Sequence, residues 1–357
     1  MKGIKIMIND ILKAFGIEGT PKVFGDGHIN TTYSVDGKYV VQKINTDVFT
    51  NPAGVMQNCF LVTEFIREKL AAKGIDGSRK TIEFIRTVDG KDYVETEDGA
   101  FRAYKFIDKA YSVSDGKTPE ILYEAAKAIG EFQNLLADFD AEKLFTVIPD
   151  FHNTPKRLEN LKIAVEKNAS GRAKFVASEI EFAYSFEKTA RAITDAIADG
   201  TVPLRVSHND TKLNNVLMDE ETRTGLCLID LDTVMSGSYL YDFGDAMRFG
   251  ASSAPEDETD LEKVYFDLDI FEAFTKGYLE NAASVLTDKE KELIFTSCIL
   301  MTYECGIRFL ADYIDGDVYF RTAYKEHNLD RARNQFALVR DMLSKKNEAE
   351  AIVKKYL

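Results

Sequence analysis

The spacing of the apolar residues changes once along this 357-residue chain, and that change constrains the fold more than any other feature. From residue 20 to residue 107, short runs of β-prone residues alternate with Asp-Gly dipeptides, which are signals for hairpin turns. From Thr118 onward, apolar residues recur at helical spacing. We therefore predict an α+β fold of two lobes, a small N-terminal antiparallel β-lobe and a larger, mainly helical C-terminal lobe.

The boundary between the lobes is predicted in the polar, glycine-containing segment 107–117. This gives an N-terminal lobe of residues 1–107 and a C-terminal lobe of residues 108–357. Within the first lobe, the apolar spacing predicts one helix over residues 55–73. In the second lobe it predicts a helix beginning at Pro119 and further helices at 155–168, 173–199, 269–283, 288–314 and 328–347.

The charge and the cysteine content exclude some functions and favour one cellular location. The chain has 45 Lys and Arg against 59 Asp and Glu, which gives a formal net charge of −14. An acidic chain is poorly suited to bind the phosphate backbone of nucleic acids or an anionic membrane, so we expect neither as a partner. The cysteines form no CxxC pair and lie in apolar stretches, as is typical of free thiols in the cytoplasm.

One loop-rich stretch of the second lobe carries the pattern H-x-D-x-x-x-x-N, formed by His208, Asp210 and Asn215. Phosphoryl transfer requires a carboxylate that receives the hydroxyl proton and hard oxygen ligands that hold magnesium on the phosphates. Asp210 suits the first role, and Asn215 suits the second together with Asp230, which ends an apolar run. In an extended segment, Asp232 would share a face with Asp230 and reach the same metal. Singly, these residue types are ordinary in loops, but in this order they match a kinase catalytic loop.

Longer segments of the chain resemble a known family. SHNDTKLNNVLMD and LIDLDTVMSGSYLYDFGD are similar to the phosphotransferase family of aminoglycoside phosphotransferases and choline kinases, which has a bilobal protein-kinase-like fold. Within that family, GDGHINTTY, DFGDAMRFGAS and ECGIRFLADY resemble the N-acetylhexosamine 1-kinases. The resemblance implies an ATP- and Mg²⁺-dependent kinase that phosphorylates the anomeric hydroxyl of an amino sugar.

The resemblance also implies roles for particular residues of the catalytic loop. Asp210 would be the catalytic base. The magnesium ligands would be Asn215, Asp230 and Asp232. Asp242 would brace the loop through backbone N–H groups, with His208 as a second supporting residue, although Asp242 also fits an ordinary exposed loop acid.

The nucleotide side of the predicted site lies in the first lobe. Gly25 and Gly27 belong to the segment GDGHIN, where small residues would let backbone N–H groups approach phosphates, and a plain hairpin turn fits the local pattern equally. Lys43 is the candidate for the strand lysine that contacts the phosphates, whereas the hydrophobic pattern places Gln42 in that position. The helix acid that pairs with this strand lysine would be Glu64 or Glu68. Adenine would be bound by backbone groups of the connection, at Tyr104, Phe106 and Ile107.

The acceptor side is predicted from polar residues in the segments that resemble sugar kinases. They are His28, Asp245, Arg248, Glu304, Arg308 and Tyr319, together with the catalytic Asp210. Neutral sugars are bound by many directional hydrogen bonds, for which acids, arginines and tyrosines are suitable. The spacing of Glu304, Arg308 and Asp312 also fits a row of surface ion pairs along one helix.

Three functions therefore remain open at this point. The preferred one is an N-acetylhexosamine kinase. The second is a kinase for a cationic amine such as an aminoglycoside or choline, although the chain has no Trp, the best residue for binding a quaternary ammonium group. The third is a pseudokinase that binds nucleotide as a scaffold, and it is disfavoured because such a scaffold does not need Asp210, Asn215 and Asp230 together.

Overall fold

The computed structural model describes residues 2–24, 31–113 and 117–357. The α-helices of these ranges are α1 (Lys2–Ala14), α2 (Pro52–Ala72), α3 (Pro119–Leu135), α4 (Thr154–Lys167), α5 (Ala177–Ser185), α6 (Glu187–Ala190), α7 (Ala192–Ala198), α8 (Tyr239–Gly250), α9 (Leu268–Ala282), α10 (Asp288–Asp315), α11 (His327–Ser344) and α12 (Lys346–Tyr356). The strands are β1 (Pro21–Val23), β2 (Thr31–Val35), β3 (Tyr39–Ile44), β4 (Phe84–Ile85), β5 (Val94–Thr96), β6 (Gly99–Lys105), β7 (Ala110–Ser112), β8 (Arg205–Ser207), β9 (Val216–Asp219), β10 (Gly225–Leu228) and β11 (Met235–Gly237). The predicted α+β class, with a β-rich first part and a larger helical second part, is confirmed.

The first lobe is built on one antiparallel sheet in the strand order β1-β2-β3-β6-β4, with β5 also paired to β6. Because side chains alternate along a strand, β3 presents Val41 on one face and Ile44 on the other. Val41 packs with Ile11 and Leu12 of α1, in a small outer core. Ile44 belongs to the main core that continues into the second lobe. The sheet therefore has an outer face covered by α1 and an inner face directed at the rest of the molecule.

Helix α2 begins three residues earlier than the sequence predicted. The side chain of Asn51 caps it by accepting from the backbone N–H of Gly54 at 3.0 Å, and Pro52 occupies its first turn. A Cβ atom at Gly54 would lie 2.3 Å from Cδ1 of Phe145. Any larger residue at this position would force the ring of Phe145 to move, so glycine favours the close approach of α2 to the second lobe.

Helix α10 is the central helix of the second lobe and packs against α4, α8 and α11. Its predicted start at residue 288 is confirmed, and reciprocal hydrogen bonds between Thr287 and Glu290 form a capping box there. By length and mean hydropathy, 1.4 over its most apolar window, α10 could cross a membrane, but 83% of that window is buried inside the protein. A Cβ atom at Gly244 would lie 2.4 Å from the carbonyl oxygen of Ser297, so this glycine is required where α8 crosses α10.

Four segments differ from the sequence prediction. The predicted helix 173–199 is divided into a 3₁₀ turn and the short helices α5, α6 and α7. Of these, α5 and α7 contact α10, and α6 contacts α4. Helix α8 was not predicted, and nearly all of its residues are buried in the structure. Helix α12 was also not predicted from the sequence. Strand β7 lies in the predicted connection and pairs with β9 of the second lobe, which leaves residues 106–109 to join the lobes.

Candidate active site

Asp210 lies in the loop between β8 and a short 3₁₀ turn, Leu213–Asn215. Its Oδ2 accepts a hydrogen bond from Asn215 Nδ2 at 2.9 Å and lies 3.1 Å from Lys212 Nζ. Asn215 Nδ2 also donates to the carbonyl oxygen of Asp210 at 2.8 Å, which closes the loop. The side chain of Asp210 is 24% exposed, and its Oδ1 accepts no hydrogen bond from the residues that the structure describes. The loop thus holds a carboxylate with one oxygen fixed and the other available.

Asp242, in the first turn of α8, is fully buried directly behind this loop. Its carboxylate accepts four hydrogen bonds, from Ser207 Oγ at 2.9 Å, the His208 N–H at 3.1 Å, the Asn209 N–H at 2.7 Å and Gln133 Nε2 at 3.1 Å. Burial raises the pKa of Asp242, while the N–H groups that donate to it oppose the shift. The interpretation of Asp242 as an exposed loop acid is therefore wrong, and the carboxylate fixes the backbone before Asp210.

Replacing Asp242 with alanine is expected to lower the free energy of unfolding by about 3–5 kcal/mol, because several buried donors lose their acceptor together. The measurement is urea denaturation at neutral pH. Glu181→Ala serves as the control, since Glu181 is an exposed acid on α5 and its removal should change stability by less than about 0.5 kcal/mol. Equal stability of the two variants would contradict the bracing role.

Asp230 follows β10 and lies beside the catalytic loop. The connection is made by the preceding residue, Ile229, whose N–H donates to the Asn215 carbonyl oxygen at 2.9 Å and whose carbonyl oxygen lies 2.9 Å from His208 Nε2. Asp230 has a left-handed backbone, with φ of 61°, and no residue in the described ranges donates a hydrogen bond to its carboxylate. Loss of contact with water raises the pKa of Asp230 to about 6, and the negative charge of Asp232 adds to the shift.

Asp232 does not share a face with Asp230 as an extended segment would require, because residues Leu231–Thr233 form a 3₁₀ turn. Its carboxylate is 2% exposed and makes an ion pair with the guanidinium of Arg102, which is equally buried. Burial opposes the charge of Arg102, but the negative charge of Asp232 outweighs it and raises the pKa of the guanidinium. The structure therefore assigns Asp232 a partner in the first lobe instead of the predicted place beside the metal.

Of the predicted nucleotide-binding residues, Gly25 and Gly27 lie outside the described residues, as does His28 of the acceptor side. The choice between Lys43 and Gln42 is decided by the alternation along β3. Gln42 lies on the inner face, where its side chain contacts Arg102. Lys43 lies on the outer face, close to Gly99, so the expectation that Lys43 contacts phosphates is corrected.

Neither candidate for the helix acid points to the inner face. Glu64 pairs with Arg86 at 2.8 Å in a half-exposed ion pair. Glu68 is exposed to solvent on α2. Since Lys43 also lies on the outer face, the described residues of β3 and α2 do not form the lysine–glutamate pair that protein kinases use to hold phosphates.

The connection between the lobes begins at the end of β6. Burial raises the pKa of Tyr104 to about 12, and the charges acting on this phenol include those of Arg102 and Asp230, so Tyr104 lies on the inner side. The N–H of Phe106 donates to the carbonyl oxygen of Lys38 at 2.9 Å. That amide is therefore not available to adenine, which corrects one part of the prediction. The next residue, Ile107, is half-buried.

Glu304 does not have the predicted role of a residue that binds the phosphoryl acceptor directly. It is 1% exposed, its Oε2 accepts from Thr154 Oγ1 at 2.7 Å, and its Oε1 lies 3.0 Å from His152 Nδ1. Burial opposes the charge of His152, but the Glu304 carboxylate outweighs it and raises the pKa of the imidazole. His152 Nε2 lies 3.2 Å from the carbonyl oxygen of Asn209. Glu304 therefore supports the catalytic loop through His152.

Two further predicted acceptor residues form an internal ion pair on α8. Arg248 Nε lies 3.2 Å from Asp245 Oδ1, and Arg248 Nη1 lies 2.8 Å from Glu256 Oε1. Both side chains are mostly buried. Arg248 is therefore engaged by two carboxylates already, which corrects its prediction as a free donor to the acceptor.

Arg308 and Tyr319 were predicted to bind the phosphoryl acceptor, and their polar groups remain available to do so. The Arg308 guanidinium lies over the ring of Phe320, 5.4 Å from its centroid, and makes no ion pair within the described ranges. Tyr319 is 73% exposed. Burial lowers the pKa of Arg157, and the nearby charge of Arg308 contributes to the shift. Arg157 Nη2 donates to the carbonyl oxygen of Phe151 at 2.9 Å, whereas its buried Nε has no partner among the residues that the structure describes.

The alternative interpretation of residues 304, 308 and 312 as a row of surface ion pairs is wrong, because the two acids are buried. Asp312 accepts backbone hydrogen bonds from Val318 at 2.9 Å, Tyr319 at 2.8 Å and Phe320 at 2.9 Å. It thereby holds the turn that places Phe320 against Arg308.

Sequence reasoning did not single out four residues of this site, namely Lys212, His152, Arg157 and Arg102. Lys212 had a local signal, because it follows Asp210 by two residues within the same motif. The other three had none. They reach the site from elements that are distant in the sequence, as in the contact of His152 with Asn209, which spans 57 residues.

A carboxylate held by a braced loop beside an amide and a lysine, under a β-lobe joined by a short connection, is typical of a kinase-like phosphotransferase. The chain belongs to the phosphotransferase enzyme family (APH), whose family model matches residues 20–274.

This chain can be superposed over nearly its whole length on solved structures with the same fold. The aminoglycoside phosphotransferase from Alicyclobacillus acidocaldarius subsp. acidocaldarius DSM 446 is 11% identical, with a TM-score of 0.63 over 97% of this chain and 96% of that one. The microcompartment-associated aminopropanol kinase is 16% identical, with a TM-score of 0.61 over 97% and 98%. Spectinomycin phosphotransferase APH(9)-Ia, in complex with ADP and spectinomycin, is 15% identical, with a TM-score of 0.56 over 96% and 98%.

Proposed function

We propose that this protein transfers the γ-phosphoryl group of ATP to the anomeric hydroxyl of an N-acetylhexosamine and so forms the sugar 1-phosphate. The observation that carries the proposal is the environment of Asp210. One oxygen of its carboxylate is held by Asn215 and Lys212, while the other has no donor in the described ranges. The motif segments that resemble sugar kinases support the choice of acceptor, as does the guanidinium of Arg308, which makes no ion pair with the described residues.

In the proposed reaction, the oxygen of the anomeric hydroxyl forms a bond to the γ-phosphorus. At the same time, the free carboxylate oxygen of Asp210 accepts the proton of that hydroxyl. The bond between the γ-phosphorus and the bridging oxygen breaks, and ADP leaves with the electron pair. An anomeric hydroxyl is more acidic than an ordinary alcohol, so one carboxylate is an adequate base. The ammonium group of Lys212, 3.1 Å from Asp210, offsets negative charge on the transferred group.

The donor set near Asp210 fits magnesium. Asp230 is a carboxylate without a hydrogen-bond donor among the described residues, and Asn215 uses only its amide nitrogen, which leaves its oxygen available. Within those same residues, no three His, Cys, Asp or Glu side chains form a complete metal site. Mg²⁺ is usually held by one or two carboxylates together with substrate phosphates, so Asp230 and Asn215 suffice. The bound ion would offset charge on the phosphates.

ATP is the proposed phosphoryl donor. It would lie under the inner face of the β-lobe, next to Tyr104, with its phosphates near Asp230. Support comes from family membership and from the solved spectinomycin phosphotransferase of the same fold, which is described in complex with ADP. The four cysteines are free thiols, so we place the enzyme in the reducing cytoplasm.

A kinase for a cationic amine is the second candidate, because similar solved structures are an aminopropanol kinase and an aminoglycoside phosphotransferase. Two arginines near the proposed acceptor position favour the sugar, although the carboxylates of Glu304 and Asp150 also act on one of them, Arg157. Arg308 has no carboxylate partner in the described ranges, and its charge acts on the nearby Arg157. Two cationic donors repel an ammonium group and bind hydroxyl and carbonyl oxygens, which an N-acetylated sugar offers.

An ADP-release assay over N-acetylglucosamine, N-acetylgalactosamine, unacetylated amino sugars, choline, aminopropanol and aminoglycosides tests the proposal. We expect turnover of the two N-acetylhexosamines, and phosphorus NMR should show phosphate on the anomeric oxygen. The matched control is 1-O-methyl-N-acetylglucosamine, which is blocked at that position and should be inactive. Turnover of amines alone would establish the second candidate, phosphate at the 6-position would refute the anomeric assignment, and nucleotide binding without any turnover would indicate a pseudokinase.

A further inference from the structure

The guanidinium of Arg102, on β6, is buried where the two lobes meet. Its Nη1 makes the ion pair with Asp232 of the second lobe. Its Nε and Nη2 donate to Gln42 Oε1 at 2.9 and 2.6 Å. Gln42 is fixed in turn, because its Nε2 donates to Thr32 Oγ1 at 3.1 Å. Arg102 is therefore anchored to the β-sheet on one side and to the turn after Asp230 on the other.

Helix α2 holds the same turn from a second direction. Nδ2 of Asn58 donates to the carbonyl oxygen of Val234 at 2.8 Å. The Sγ of Cys59 lies 3.7 Å from the carbonyl oxygen of Leu231 and 3.9 Å from Nη1 of Arg102. Two elements of the first lobe thus contact both ends of a turn that belongs to the second lobe.

Asp230 immediately precedes this turn and depends on it for its position. Its backbone is left-handed, which costs energy in a residue other than glycine and persists only where the surroundings enforce it. Two contacts from the first lobe hold the residues next to Asp230 in place: Cys59 contacts the carbonyl oxygen of Leu231, and Arg102 pairs with Asp232. The position of the Asp230 carboxylate therefore depends on contacts from the β-lobe in addition to those that Ile229 and Thr233 make within the second lobe.

The described part of the first lobe offers no other cation in this place. The side chain of Lys43 is on the outer face of β3, and Glu64 is paired with Arg86. We propose that Arg102, held by Gln42, is the positioning residue of the phosphate site: through Asp232 it fixes Asp230, and it replaces the lysine–glutamate pair of protein kinases. This inference rests on the proposed function, in which Asp230 binds the magnesium of the nucleotide.

The first test removes both charges together, with Arg102→Met and Asp232→Leu in one variant, so that neither partner is left buried and unpaired. We expect a thermal midpoint close to that of the wild type. Hydrogen exchange of the backbone amides of residues 229–234 should become about tenfold faster or more, with α10 unchanged. The matched control is Arg86→Gln with Glu64→Gln, which removes an ion pair of the same lobe and should change neither measurement. Exchange like that of the wild type in the double variant would overturn the inference.

The second test measures how much Mg²⁺ is needed for half-maximal binding of a fluorescent methylanthraniloyl derivative of ATP. In the double variant this concentration should rise about 10- to 100-fold, as for loss of an outer-shell contact, and kcat should fall while the KM of the acceptor stays unchanged. A structural role alone would lower the thermal midpoint and leave the Mg²⁺ requirement unchanged, which would overturn the inference.

A milder variant, Gln42→Met, keeps the inference falsifiable if the double variant does not fold. It removes the acceptor of two Arg102 hydrogen bonds and leaves the ion pair in place, so we expect a smaller shift in the same direction. No shift in Gln42→Met would count against the inference. If the wild type itself binds no Mg²⁺-nucleotide, the proposed function fails, whereas the exchange measurement still decides whether Arg102 positions the turn.

Discussion

Replacing Asp210 with asparagine is expected to lower kcat by about 10²- to 10⁴-fold, the range that a positioned general base contributes. Asparagine has nearly the same shape and can keep a contact with Asn215, but it cannot accept the proton of the hydroxyl. Since the defect lies in the transition state, the affinity for Mg²⁺-ATP should be nearly unchanged. Initial rates at saturating ATP and acceptor, together with nucleotide titrations, measure both quantities.

Asp108→Asn is the matched control for that variant. Asp108 is an exposed acid in the connection between the lobes, so the same chemical change there should leave kcat within about twofold. Near-native turnover of Asp210→Asn would show that another group takes the proton. A large loss of nucleotide affinity would show that Asp210 acts mainly in binding.

Replacing Asp230 with asparagine is expected to abolish Mg²⁺-dependent nucleotide binding and to lower kcat/KM by more than the 10- to 100-fold typical of outer-shell contacts. Asparagine tolerates the left-handed backbone of this position, so the change removes a charged metal ligand with little strain. The measurement is nucleotide binding and turnover over a range of Mg²⁺ and Mn²⁺ concentrations. Full activity of the wild type in excess chelator would contradict the metal site.

The same variant should be more stable than the wild type when both are free of metal. Desolvation and the charge of Asp232 raise the pKa of Asp230 from 3.8 to about 6, so the ionised form costs stability in the folded protein. That cost is fully present above about pH 6 and disappears as the pH falls to 3.8, where the side chain is protonated in both states. The thermal midpoint of Asp230→Asn should therefore exceed that of the wild type at pH 7, and the difference should shrink toward pH 4.

The catalytic loop was predictable because its residues are close together in the sequence. Asp210, Asn215 and Asp230 lie within one stretch of alternating loop and strand, and the motif gives their order and spacing. The structure places Asn215 in contact with Asp210, and Ile229, next to Asp230, in contact with Asn215. Local sequence was sufficient there, since short connections leave few other arrangements.

The acceptor side was harder to predict because residue type does not reveal which polar groups are already paired. Glu304 and Arg248 have suitable chemistry, yet each is engaged by neighbours inside the second lobe. Arg308 has the same type of side chain as Arg248 and remains open within the described ranges. Only the packing of α10 and α8 separates these cases.

The sequence by itself determined the two lobes, most of the helices and the composition of the catalytic loop, because periodicity and short motifs are local properties. Tertiary structure alone decided which charges meet. Arg102 and Asp232 are 130 residues apart, and His152 and Glu304 are 152 apart. On β3, a shift of one position separates Gln42 on the inner face from Lys43 on the outer one. Such contacts depend on how the sheet and helices pack, and packing across long separations leaves no repeating pattern in a single sequence.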